Sequence, residues 1–120
     1  MKLTLSIVAL VSGLLMSSHA QARTPEATKI QKGKKVYDYW CATCHAPSTA
    51  NSKYPGTEAL KAKYEGSLPG ALAQRTDLSA DVVKYFVRNG VSVMPQFRKT
   101  EVDDADLEAI SAYLTRNNRP

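Results

Sequence analysis

Cysteine and histidine are scarce in this chain of 120 residues, with two of each, and methionine occurs three times. A structural zinc site takes about four ligands, and beyond residue 22 the sequence offers two cysteines and one histidine, His45. No stretch alternates apolar and polar residues as a half-buried strand does, and neither a repeat nor a low-complexity tract is present. Acidic residues are the minority, 11 against 16 lysines and arginines, for a net charge of +5.

The one long apolar run lies at the start. Lys2 precedes Leu3 to Val11 and Gly13-Leu14-Leu15-Met16, and Ser17-Ser18-His19-Ala20-Gln21-Ala22 follows. A charged start, an apolar stretch and a small-x-small exit predict a secretory signal peptide over residues 1–22, with a cut after Ala20 as the alternative. The run is shorter than the ~20 apolar residues of a membrane span. Cleavage would leave residues 23–120 as one domain with a small core, located in the periplasm without stable membrane insertion. It removes one charge, Lys2, which lowers the net charge from +5 to +4. It also removes His19, Met1 and Met16, so His45 and Met94 become unique.

The two cysteines fall in Cys41-Ala42-Thr43-Cys44-His45. Two cysteines in an exported chain ordinarily suggest a disulfide, but this spacing is the haem c attachment pattern. Each thiol adds to one vinyl group, and two intervening residues keep both sulfurs on one porphyrin edge. The adjacent His45 then falls beneath the iron as an axial ligand. A thioredoxin-type pair needs a strand–helix–strand setting, whereas this region reads as helical. Met94, in Val93-Met94-Pro95-Gln96-Phe97, is the expected second axial ligand, in a loop stiffened by Pro95. A thioether favours ferrous iron and raises the potential. With both axial positions filled, no open site is left for oxygen or peroxide, so no catalytic residue is expected.

Helical spacing predicts the rest. Ile30, Gly33, Tyr37, Trp40/Cys41 and Cys44 recur along a first amphipathic helix, with lysines between them. Residues 46–57 read as a loop, followed by a short helix over Glu58–Tyr64 capped by Thr57 and a helical turn at Ala71–Gln74. Ser79 is an N-cap, with Leu78 and Val83 as a hydrophobic staple. Val82, Val83, Phe86 and Val87 form that helix's apolar face, and Gly90 lies past its end. A last helix begins at Asp103, with Asp104 and Asp106 in its first turn and Leu107, Ile110 and Tyr113/Leu114 as its buried stripe.

These residues resemble a class I cytochrome c over nearly the whole mature chain. The resemblance implies an all-α fold, a small helical domain wrapped around one covalently attached haem. It also implies that the first and last helices cross closely at Gly33, flanked by Tyr37, Ile110 and Tyr113. From it come three further expectations. The Pro55 carbonyl accepts from His45 Nδ1, with Pro47 as the nearer rival. Arg75 bonds a haem propionate or, alternatively, is a surface residue paired with Asp77. Trp40 packs near the haem.

A narrower resemblance rests on Tyr54-Pro55-Gly56-Thr57, Leu68-Pro69, Arg75-Thr76-Asp77-Leu78, Val87-Arg88-Asn89-Gly90, Met94-Pro95-Gln96-Phe97-Arg98 and Asp104-Ala105-Asp106-Leu107. These segments are similar to the cytochrome subunits of p-cresol methylhydroxylase and eugenol hydroxylase type flavocytochromes. The likeness implies an FAD-containing flavoprotein partner that oxidises a 4-alkylphenol and passes electrons singly to the haem, and a downstream periplasmic acceptor. A free periplasmic shuttle from another dehydrogenase to a terminal oxidase is the alternative. An enzyme or gas sensor with an open iron site is a third reading. Docking is expected on Ala42, Thr43, Ala46 and residues 93–97. No nucleic-acid recognition motif accompanies the lysines. They read as a solvated helix face or as a steering field for an acidic partner.

Overall fold

A computed structural model describes residues 24–118. The expected signal segment lies outside the described residues. The elements are α1 (Pro25–Trp40), α2 (Ala42–His45), α3 (Pro55–Tyr64), a 3-10 turn (Leu72–Gln74), α4 (Ala80–Asn89) and α5 (Asp104–Thr115). Among the described residues no strand forms, only an isolated antiparallel bridge between Val91 and Met94. The fold is all-α, as the sequence predicts. No described helix is long and apolar enough to cross a membrane.

Local chemistry sets most boundaries. Thr24 Oγ1 accepts from the Ala27 amide at 3.2 Å and Pro25 occupies the first turn, where a missing N–H costs nothing. Ser79 Oγ accepts from Val82 N at 3.2 Å, and Leu78 and Val83 are both buried, so the expected cap and staple start α4. Gly90, at φ 68°, ends it. Asp103 is the N-cap of α5 rather than its first helical residue, accepting from Asp106 N at 2.7 Å.

The α3 boundary differs from the expectation. The helix begins at Pro55, three residues early, and Thr57 lies inside it. Proline at the first helical position supplies the start, and the Thr57 hydroxyl is drawn away to the Ala46 carbonyl at 2.8 Å.

The core forms where α1 crosses α5. A Cβ on Gly33 would collide with the Ala109 carbonyl oxygen and lie 2.9 Å from Tyr113 Cβ, so the two backbones meet only because Gly33 has no side chain. Tyr37 and Tyr113 pack beside the crossing with ring centroids 5.3 Å apart, and Ile110 is fully buried. Lys29 and Lys32 of α1 pair with Glu108 and Asp106 of α5 at 3.7 and 2.7 Å. These lysines therefore fasten the crossing at its rim, a weak contribution in an exposed setting. Helix α4 packs on α5 through Val83 and Val87. Only that half of its expected apolar face is buried: Val82 and Phe86, one stripe around the helix, remain 44% and 37% exposed.

Candidate functional site

A single residue, Cys41, separates α1 from α2, so the five residues from Cys41 to His45 follow the first helix as one turn. Residues three apart on a helical turn share a side, which suits Cys41 and Cys44 to a common partner. Both are free and half-buried. Burial pushes the Cys41 thiol up to about 12, with Cys44 adding to the effect.

The end of this turn is held from two sides. Its last carbonyls have no partners inside so short a helix. Tyr37, buried in α1, donates its hydroxyl to the His45 carbonyl at 2.8 Å, and Thr57 of α3 donates to Ala46. Sequence reasoning missed both hydroxyls. The signal for the first is a tyrosine at a crossing position that phenylalanine would fill equally well for packing alone.

The His45 ring rests with its Nδ1–Cε1 edge on Gly56. A Cβ at Gly56 would lie 2.6 Å from Cε1 and 2.8 Å from Nδ1. Burial lowers the His45 pKa, so the ring is neutral, the form that binds a metal. Nδ1 is the one buried side-chain polar atom without a partner among the described residues. The Pro55 carbonyl does not take the expected bond, and neither does Pro47. Pro55 is the first residue of α3, where a carbonyl turns along the helix to the amide four residues on, and Gly56 meets the ring instead. Nε2 is not among the buried unpaired atoms.

Met94 lies in the connection between α4 and α5. Val91 and Met94 exchange backbone bonds of 3.1 and 2.9 Å around Ser92-Val93, with Ser92 at φ 53°. The resulting tip is apolar and open, with Val91 54% and Val93 92% exposed, while Met94 is half-buried. Past it, Phe97 N donates to the Val87 carbonyl at 2.8 Å. The Phe97 ring meets Trp40 edge-on at 5.9 Å, so the Met94 loop packs against the residue just before Cys41. Trp40 is half-buried and also contacts Tyr39 edge-on at 4.9 Å.

Arg75 makes the expected pair with Asp77, but from a buried position. It is only 4% exposed, so it is not a surface residue. Its Nε and Nη2 donate to the two Asp77 carboxylate oxygens at 2.6 and 2.5 Å, and the guanidinium lies 4.6 Å from the centroid of the Tyr64 ring. This bidentate pair takes up Nε and one Nη2 hydrogen, and the Nη1 donors lie outside it.

Two free thiols on one turn, the adjacent His45 and a methionine loop packed against Trp40 beside that turn form a donor set that fits a covalently attached haem. No cluster of three or more metal-binding acidic, His or Cys side chains occurs among the described residues.

Comparison with known proteins agrees. A family model described as cytochrome c oxidase, cbb3-type, subunit III matches residues 28–114. The chain is similar to cytochrome c6 of Tetradesmus obliquus, 33% identical over 82 residues that cover 68% of this chain and 83% of that one. It is similar to the 4-cresol dehydrogenase (hydroxylating) cytochrome c subunit of Pseudomonas putida, 29% identical over 109 residues, 90% of this chain and 77% of that one. It is 30% identical over 96 residues to the cbb3-type cytochrome c oxidase subunit CcoP of Azospirillum sp. (strain B510), 77% of this chain and 30% of that one.

Proposed function

This chain belongs to the class I c-type cytochromes, in the family of cbb3-type cytochrome c oxidase subunit III, and from that premise we propose that it is the cytochrome subunit of a periplasmic phenol-oxidising flavocytochrome. It is an electron-transfer protein with haem c as its cofactor, not an enzyme in its own right. In this reading residues 1–22 direct export, Cys41 and Cys44 bear the haem, and His45 and Met94 are the axial ligands.

The observation that carries the ligand assignment is the state of His45. Its Nδ1–Cε1 edge is seated on Gly56, which supports Nε2 as the nitrogen for the iron, and burial favours the neutral ring. Haem iron with a thioether and an imidazole cycles between ferric and ferrous states at a raised potential. The chain's own residues hold that geometry: Tyr37 and Thr57 fix the end of the attachment turn, and Trp40 and Phe97 join it to the methionine loop.

Similarity to the Pseudomonas putida cytochrome subunit over 90% of the chain supports an FAD-containing 4-alkylphenol hydroxylase as the electron donor. Exposed Thr43 and the apolar tip Val91/Val93 supply a surface for it. The likeness to cytochrome c6 and to the oxidase subunit supports a free shuttle equally well. Pull-down of the matured holoprotein from its own periplasm separates the two. A stoichiometric flavoprotein, with electron transfer slowed by Thr43→Glu at an unchanged haem spectrum, supports the subunit reading. Recovery of the cytochrome alone, with full reduction of a terminal oxidase, supports the shuttle.

A further inference from the structure

We propose that Arg88 is the positioning residue of the Met94 loop, a side-chain clamp that keeps the methionine on the iron. The proposal rests on Met94 being the ligand.

The connection from Gly90 to Asp103 has no helix or strand, so its shape depends on what ties it down. Its first half is closed by the Val91–Met94 bridge, but that bridge is internal to the loop and leaves its tip exposed. Anchorage to the body comes after Met94. Phe97 N bonds the Val87 carbonyl at 2.8 Å. Among the described residues, most of the remaining hydrogen-bond anchorage runs through Arg88. Arg88 Nη1 donates to the Phe97 carbonyl at 3.1 Å and to the Val102 carbonyl at 2.8 Å, and Nη2 donates to Asp104 Oδ1 at 2.9 Å. A single guanidinium on α4 thus grips the loop three residues beyond Met94, the residue Val102 that is 1% exposed, and the first turn of α5. Lys99 Nζ takes the other Asp104 oxygen at 2.7 Å, which ties the middle of the segment to the same carboxylate.

The geometry explains why the residue is an arginine. Three acceptors on three segments need a planar fork with donors on two nitrogens, which an ammonium on a flexible stem does not reproduce. Without the fork, the Phe97 and Val102 carbonyls lose their side-chain donor, and the loop is held at Phe97 by one backbone bond and the ring contact with Trp40. Arg88 is not placed in contact with the haem. Its effect is on how often the loop lifts away, a local opening distinct from global unfolding.

The test uses the matured ferric holoprotein and titrates it with imidazole, which binds only when the methionine position is vacated. Apparent affinity then follows the fraction of molecules with the loop open. Arg88→Met should bind imidazole at least about tenfold more tightly than wild type, and Arg88→Lys should fall between them. Val83→Ala, a core change on the same helix that leaves the clamp intact, serves as the stability control. At a comparable loss of melting temperature it should stay within about twofold of wild type. An Arg88→Met affinity within that same margin would overturn the proposal, as would an equal gain in Val83→Ala. Should Arg88→Met fail to mature, Arg88→Lys decides: a gain supports the clamp and no gain overturns it. A wild-type ferric protein lacking the far-red sulfur-to-iron band would instead remove Met94 as ligand, and the clamp's role with it. That result is distinct from an intact band with an inert Arg88.

Discussion

Replacing Gly33 with alanine sets two effects of opposite sign against each other. Alanine in a helix interior is favoured over glycine by ~1 kcal/mol, so α1 by itself would gain. The new Cβ, however, meets the Ala109 carbonyl oxygen and Tyr113 Cβ across the crossing. A backbone carbonyl cannot rotate aside as a side chain can, so α1 and α5 must move apart. Overpacking of this kind costs about 1–3 kcal/mol and sometimes more. Separation also loosens the Tyr37–Tyr113 contact and the packing over Ile110, so the upper part of that range applies. The net loss is then about 1–2 kcal/mol. In a domain of this size each kcal/mol moves the midpoint by roughly 4–8 °C, so Gly33→Ala should melt about 5–15 °C below wild type. Thermal unfolding of the holoprotein by far-UV circular dichroism reads this directly. A variant that melts at or above the wild-type temperature would mean that propensity outweighs packing, and the close crossing would be wrong.

Tyr37→Phe keeps the ring packing and removes the donor to the His45 carbonyl. It should cost ~1 kcal/mol in denaturant unfolding while the haem spectrum keeps its shape. No loss would mean that the bond is idle. The Asp77 carboxyl is held below the usual carboxylate range by its hydrogen bonds to Arg75, so its contribution is present above about pH 4 and is lost as pH falls through its lowered folded value. Asp77→Asn should therefore be less stable than wild type at neutral pH, with the gap closing below about pH 4, and a pH-independent gap would contradict the pairing. Cys41→Ala with Cys44→Ala should yield a haem-free chain without fixed tertiary packing, because the remaining core is marginal. Sharp, dispersed amide resonances from that double variant would show that the helices fold unaided.

The starts of α4 and α5 were legible because each announces itself within a few residues. Ser79 and Asp103 need only their own first turns, and the crossing at Gly33 was expected from the family resemblance. The attachment turn was legible for the same reason, since Cys41 to His45 is one local pattern. What escaped depends on partners distant in the chain or on competing local options. Thr57 reads as a cap until Ala46, eleven residues earlier, claims its hydroxyl. Arg88 looks like an ordinary basic residue in the last turn of a helix, and its acceptors lie nine to sixteen positions downstream. The burial of Arg75 follows from packing against Tyr64, and the resting place of the His45 ring follows from where α3 begins. The lysines of α1 suggest an open basic field, but acidic residues about seventy-five positions away pair with two of them.

The central claim is that one haem is attached at Cys41 and Cys44 and closed axially by His45 and Met94. The most direct test is the far-red absorption of the matured ferric protein, compared with that of Met94→Ala. The wild type should show a weak sulfur-to-iron charge-transfer band, and the variant should lose it completely and have a lower reduction potential, with the haem still covalently bound. An identical band in both proteins would contradict it.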